Sequence, residues 1–175
     1  MSDARDKAKQ VKLAVFDVDG VMTDGGIIYT SKGDEIKAFN VKDGFGLKLL
    51  QKHGIKIAII TGRKSDLVER RANELGFDYL YQGREDKLVA LNELLSDIGM
   101  TLNEVGYMGD DIPDLPAIRH SAFGATVADG TTLVLEHADW ISSKKGGDGA
   151  VREFCEYLLD AQGHLETFHQ SCLEK

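Results

Sequence analysis

Between residues 11 and 16 the chain runs through Val-Lys-Leu-Ala-Val-Phe, then breaks into Asp-Val-Asp-Gly. Short apolar runs bounded by turn residues recur at 56–61, 77–81, 105–109, 122–127 and, in the shortest form, 140–142, and each predicts a strand. Between them, apolar positions at helical spacing predict helices over 45–53, 66–75, 86–98, 115–120, 132–136 and 150–161. Gly54, Gly76, Gly99 and Gly163 suit the left-handed position just beyond a last helical turn. Strands alternating with helices predict an α/β fold, a Rossmann-like three-layer sandwich with a mainly parallel central sheet. One segment breaks the alternation. Two β-prone runs, 26–30 and 35–39, flank the polar turn Ser31-Lys32-Gly33-Asp34 and predict a hairpin protruding after the first strand. A lone hairpin is marginal in water, so its apolar face is expected against a neighbouring subunit.

The chain has 175 residues, 42% of them hydrophobic, which fits one domain over 1–175: a core over about 11–162, the hairpin over about 26–39, and a polar tail over about 163–175 expected to fray. Net charge of −8 argues against non-specific binding to nucleic acid or an anionic membrane. The first ten residues are charged and lack the apolar stretch of a secretory signal, and no run has the length of a membrane span. A cytoplasmic protein is expected. Cys155 and Cys172 have no metal-motif spacing, consistent with a reduced compartment and inert thiols.

Candidate chemistry collects where strands end. Asp17 and Asp19 close the first run, and Gly20 allows a turn that brings both carboxylates toward one point. Thr61-Gly62-Arg63 ends the second strand in donors suited to phosphate oxygens. Lys87 opens a helix, where the macrodipole favours an anion, so it is either solvated or paired with negative charge. Asp110, Asp111 and Asp114 follow the fourth strand. Taken singly, each has an ordinary reading as a solvated acid, a strand end or a cap. Together they fall on one edge of one sheet, where ligands of open parallel sheets bind. The stretch 144–149, Lys-Lys-Gly-Gly-Asp-Gly before the last helix, offers a possible anion cradle of backbone N–H groups or simply a flexible helix entry.

This ordered set resembles the haloacid dehalogenase superfamily of phosphatases, over about residues 11–160. The resemblance implies Asp17 as nucleophile, Asp19 as general acid and base, and Thr61 and Lys87 as holders of the transferring phosphoryl group. It further implies Mg2+ bound by Asp17, the Asp19 backbone carbonyl and Asp110, with Asp111 and Asp114 behind these ligands. Neither gap that carries a cap domain in many members has room for one here. The open site is then covered either by a macromolecular substrate or by a neighbouring subunit.

Val-Phe-Asp-Val-Asp-Gly-Val-x-Thr-Asp-Gly, the hairpin, Asp43-Gly44, Gly62-Arg63 and Gly-Gly-x-Gly-Ala-x-Arg-Glu are similar, more narrowly, to the 3-deoxy-D-manno-octulosonate 8-phosphate phosphatases. That resemblance implies a capless, magnesium-dependent homotetramer of lipopolysaccharide precursor synthesis, each site helped closed by a neighbour. It also implies substrate contact at Asp19, at Asn40, Val41, Lys42, Asp43 and Gly44, and at Lys48, Arg63, Arg71 and Lys87. A sugar acid phosphate carries two anionic groups, and guanidinium pairs with either. The chain departs from the family at Asn40, where His is frequent. A nonulosonate 9-phosphate phosphatase is the nearest alternative. More distant readings are a phospho-acceptor receiver domain, disfavoured by the acid at Asp19, and a phosphatase of protein or nucleic acid ends, disfavoured by the acidic charge.

Overall fold

The computed structural model of the chain describes residues 4–174. Residues 1–3 and 175, the extreme ends of the charged amino-terminal segment and of the polar tail, lie outside the described residues. Six strands form one parallel sheet in the order β5-β4-β1-β6-β7-β8. They are β1 Leu13–Phe16, β4 Lys56–Thr61, β5 Tyr79–Gln82, β6 Val105–Met108, β7 Phe123–Thr126 and β8 Trp140–Ile141. The separate antiparallel pair is β2 Ile28–Tyr29 with β3 Glu35–Ile36, two residues to each strand and so shorter than the sequence pattern suggests.

β1 and β6 are buried throughout because helices cover both faces of the sheet. On one face lie α2 (Val41–Lys52), α3 (Asp66–Leu75) and α7 (Ala150–Ala161), over a core including Phe16, Leu47, Ile57, Phe123 and Phe154. On the other lie α4 (Lys87–Ile98), α5 (Leu115–His120) and α6 (Thr132–His137), over Leu13, Ile60, Leu91, Leu94 and Tyr107. The connection after β1 leads to β4 on one side, and that after β6 leads to β7 on the other. The loops following β1 and β6 therefore diverge at a topological switch point, which opens a crevice between them.

Three further elements, α2 and the two terminal helices, depart from the sequence pattern. α2 starts at Val41, four residues early, with Asn40 as its N-cap accepting from the Lys42 N–H at 2.9 Å. Gly44 and Gly46 lower helix propensity in its first two turns, but they allow close approach of neighbouring side chains. A Cβ at Gly44 would lie 2.7 Å from an Arg71 guanidinium nitrogen, and one at Gly46 would lie 3.0 Å from Arg152 Cδ. The tail does not fray across the described residues. Leu165–Leu173 forms α8, whose Phe168 ring sits 6.2 Å from Phe45 with the Lys52 ammonium 5.8 Å above it. Ala4–Ala8 forms α1, tied to α7 by an Arg5–Asp160 ion pair and by the side chain of Gln162, the C-cap of α7, which donates to the Ala8 carbonyl at 3.2 Å. Both cysteines are free, Cys155 buried and Cys172 exposed. No described helix is long and apolar enough to cross a membrane.

Candidate active site

β1 delivers Asp17 into the crevice, and the Asp17 N–H extends the ladder by donating to the Met108 carbonyl at 3.0 Å. Its carboxylate accepts from the Val18 N–H at 2.7 Å and lies 3.0 Å from the Lys87 ammonium. Lys87, at the first position of α4, is buried and also bonds Asp114 at 2.8 Å. Its place at a helix N-terminus, unfavourable for a cation, is thus explained by two carboxylates facing it. Burial pulls the Lys87 ammonium down, but Asp114 and Asp17 outweigh it and leave the group above its usual range.

Asp114 organises the β6 loop from within. One oxygen accepts from Lys87 and from the buried Tyr107 hydroxyl at 2.9 Å, and the other accepts from the Asp110 N–H at 3.2 Å and the Asp111 N–H at 3.4 Å. Both oxygens are committed, so Asp114 shapes the site without being a good ligand, although its carboxylate lies close to the other two. Asp111 is exposed and caps the 3-10 turn Ile112–Asp114 through the Ile112 N–H at 2.7 Å. It borders the cavity at its rim.

Oxygens of Asp17, Asp110 and Asp114 all lie within 4.8 Å of one another. Burial first, then the negative charge of Asp114, push Asp17 up to about 7. Burial, then Asp114 and Asp17, push Asp110 up to about 7. One Asp110 oxygen is buried without a hydrogen-bond partner. Crowded like charges with an orphaned hard oxygen are the environment that a divalent cation relieves, and the donor set is the oxygen-only type favoured by magnesium. Gly20 completes the packing: its φ is +95°, and a Cβ there would fall 2.2 Å from an Asp110 oxygen.

Asp17, Lys87, Asp110 and Asp114 line a cavity of about 230 Å³ together with Asp19, buried Thr61, Gly62, Arg63, Glu85, Asp111 and Pro113. The four separate sequence features therefore meet, as their order along the sheet predicts. The Asp19 carboxylate contacts the Lys37 ammonium and lies 3.9 Å from Arg63.

The remaining residues implied by the resemblance lie outside that cavity. Asn40 caps α2 and donates to the Gly147 carbonyl at 3.2 Å, while Val41 and Lys42 project into solvent. Asp43 is buried and accepts from the Arg152 N–H at 2.8 Å, and Gly44 packs under Arg71. Arg71 lies over the Phe39 ring at 5.8 Å and lines a second cavity of about 210 Å³ with Lys37, Phe39, Leu67, Arg70 and Glu74. Lys48 points elsewhere: its ammonium lies by Gly76, the C-cap of α3, near the end of the sheet opposite the acids. The possible anion cradle at 144–149 is overturned. The Gly146 N–H donates to Asp129 at 3.0 Å and the Gly147 N–H to the Val21 carbonyl at 3.0 Å, so this loop buttresses the turn after Asp19.

Sequence reasoning did not single out Glu35, Lys37, Glu85 or Tyr107. Tyr107 carried a signal, since a tyrosine inside a buried strand needs a partner for its hydroxyl. Lys37 and Glu35 carried none, because charged residues in a hairpin are ordinarily solvated.

A parallel sheet with an Asp-x-Asp-Gly turn after its central strand and a lysine bridging to the acids of a second loop defines a haloacid dehalogenase-like hydrolase. Residues 80–154 match the family model of that description. The chain is 46% identical to the 3-deoxy-D-manno-octulosonate 8-phosphate phosphatase of Yersinia pestis, covering 94% of this chain and 88% of that protein. It is 44% identical to that of Escherichia coli K12 over the same shares. A phosphatase of the same name from Moraxella catarrhalis, solved with magnesium, phosphate and the KDO molecule, superposes with a TM-score of 0.94 at 48% identity, covering 96% of this chain and 97% of that one. A probable yrbI-family phosphatase from Pseudomonas syringae superposes at 0.97 with 51% identity, over 100% and 99% of the two chains. The chain belongs to the 3-deoxy-D-manno-octulosonate 8-phosphate phosphatase family.

Proposed function

We propose that the protein hydrolyses 3-deoxy-D-manno-octulosonate 8-phosphate to the free sugar acid and phosphate, with magnesium, in lipopolysaccharide precursor synthesis. The observation that carries the chemistry is the buried Lys87 ammonium 3.0 Å from Asp17, in a cavity shared with Asp19, Thr61 and Asp110. Family membership at 44–46% identity carries the substrate.

An Asp17 oxygen attacks phosphorus, the P–O bond to the sugar breaks, and the departing oxygen takes the proton of Asp19. Water then attacks the aspartyl-phosphate and gives its proton to Asp19, and the Asp17 carboxylate returns as phosphate leaves. Lys87 and Thr61 hold the phosphoryl oxygens, and Lys87 balances charge on Asp17 as the dianion approaches. Asp17, Asp110 and the Asp19 backbone carbonyl would hold magnesium, which would supply charge neutralisation at the phosphoryl group. Arg63, in the cavity wall, and Arg71, in the neighbouring cavity beyond Lys37, are suited to the anionic ends of a sugar acid phosphate.

The protein works as a cytoplasmic homotetramer on this reading, with hairpins packed together and each open site covered by a neighbour. Exposed Ile28, Tyr29 and Ile36 on the hairpin support that assembly, and the exposed α2 start at Val41 and Lys42 suits contact across a subunit boundary. A phosphate-release panel over sugar phosphates tests the substrate. The octulosonate ester should give the highest kcat/KM, and a preference for a nine-carbon acid would reassign it.

A further inference from the structure

Lys37 follows β3 and has no role in the chemistry so far. Its side chain is only 2% exposed, its ammonium touches the Asp19 carboxylate, and Glu35 lies 3.6 Å away. Glu35 in turn pairs with Arg63 at 2.8 Å and accepts from the Ser65 hydroxyl at 3.1 Å, which fastens the hairpin to the segment after β4. A lysine usually keeps its head in water, so burial against two carboxylates marks a fixed charge. Strands of two residues each cannot hold a hairpin in place by their own ladder.

We propose, resting on the phosphatase reading above, that Lys37 is a positioning residue for Asp19, and that Glu35 holds Lys37 and Arg63 in register. When the P–O bond breaks, its electron pair stays on the sugar oxygen, which takes the Asp19 proton. Asp19 is left as a carboxylate beside the Lys37 ammonium. The hairpin thus fixes the direction of the Asp19 side chain toward the departing oxygen.

The prediction depends on the leaving group. A sugar alkoxide needs a proton as it departs, whereas p-nitrophenolate does not. Lys37→Met should lower kcat/KM for the octulosonate 8-phosphate by about tenfold or more, a part of what general acid catalysis supplies. It should leave kcat/KM for p-nitrophenyl phosphate within about threefold. Lys37→Arg should recover most of the loss, and Glu35→Gln should show the same leaving-group dependence with smaller size. Equal losses on both esters would overturn the proposal. Should Lys37→Met fail to fold, Glu35→Gln decides by the same comparison. Wild-type protein that cleaves neither ester would instead overturn the phosphatase reading itself.

Discussion

Lys87 shows how one residue links stability to chemistry. It is buried between Asp17 and Asp114, so deleting its charge leaves two carboxylates without their cation. Lys87→Ala should nearly abolish turnover, and Asp17→Asn should remove roughly a thousandfold or more of kcat, since the amide cannot act as nucleophile. Retention of more than a few per cent of activity by Asp17→Asn would reject the nucleophile assignment. The cation reading has its own readout. Asp17 and Asp110 are both pushed up to about 7, so protons compete with metal below that pH. Magnesium at a hundred times its Kd should stabilise the fold by about 2.7 kcal/mol, seen as a higher Tm at pH 8, with a smaller rise at pH 5. Asp110→Asn should abolish the rise, and an undiminished effect would place the ion elsewhere.

At the scale of elements, the site depends on contacts between segments remote in sequence. The loop before α7 lies against the turn after β1 so closely that a Cβ on Gly146 would fall 1.8 Å from the Gly20 carbonyl oxygen. Backbone meets backbone there, so neither side can yield by a rotamer change. Gly146→Ala should therefore displace the Asp19 turn and lower kcat by about tenfold or more, because misplacement of reacting groups is costly. Unchanged kcat would mean that the turn holds its shape without the loop. Asp43 joins α2 to α7 by accepting from the Arg152 N–H, and burial, against that bond and with Asp148 adding negative charge, pushes it up to about 6. An acid whose folded value lies above its unfolded value of 3.8 favours folding least when ionised. Its penalty is absent below about pH 4, grows through the window between about 4 and 6, and reaches at most roughly 3 kcal/mol above it. The Tm of Asp43→Asn relative to wild type should accordingly rise between pH 4 and pH 7, and a pH-independent difference would contradict this.

For the whole molecule, the open cavity and the apolar hairpin pose one question. Ile28 and Ile36 pair across the hairpin and are each 49% exposed. If that face joins subunits, Ile28→Glu should yield smaller species on gel filtration and lower activity, as each site loses its cover. An unchanged elution volume would argue against the hairpin as the contact.

Much of this was legible in the chain before folding. The strand and helix order follows from apolar periodicity, and Asp17, Asp19, Thr61, Lys87 and Asp110 could be placed together because ends of parallel strands share one edge. Such residues are found by local pattern, since chemistry there needs particular side chains at fixed offsets from a strand end. Other features depend on packing between distant segments. α2 begins at Val41 under its Asn40 cap, and its glycines stand where Arg71 and Arg152 pack closely against the helix. α8 holds together through Phe168 against Phe45, and Lys37 is buried only because the hairpin folds back onto Asp19. The sequence alone determined which groups could do chemistry and on which edge of the sheet they would stand. Tertiary structure decided which charges are buried, which carboxylate oxygens are free and which loop supports the turn after Asp19, because burial and pairing are properties of surroundings assembled from the whole chain.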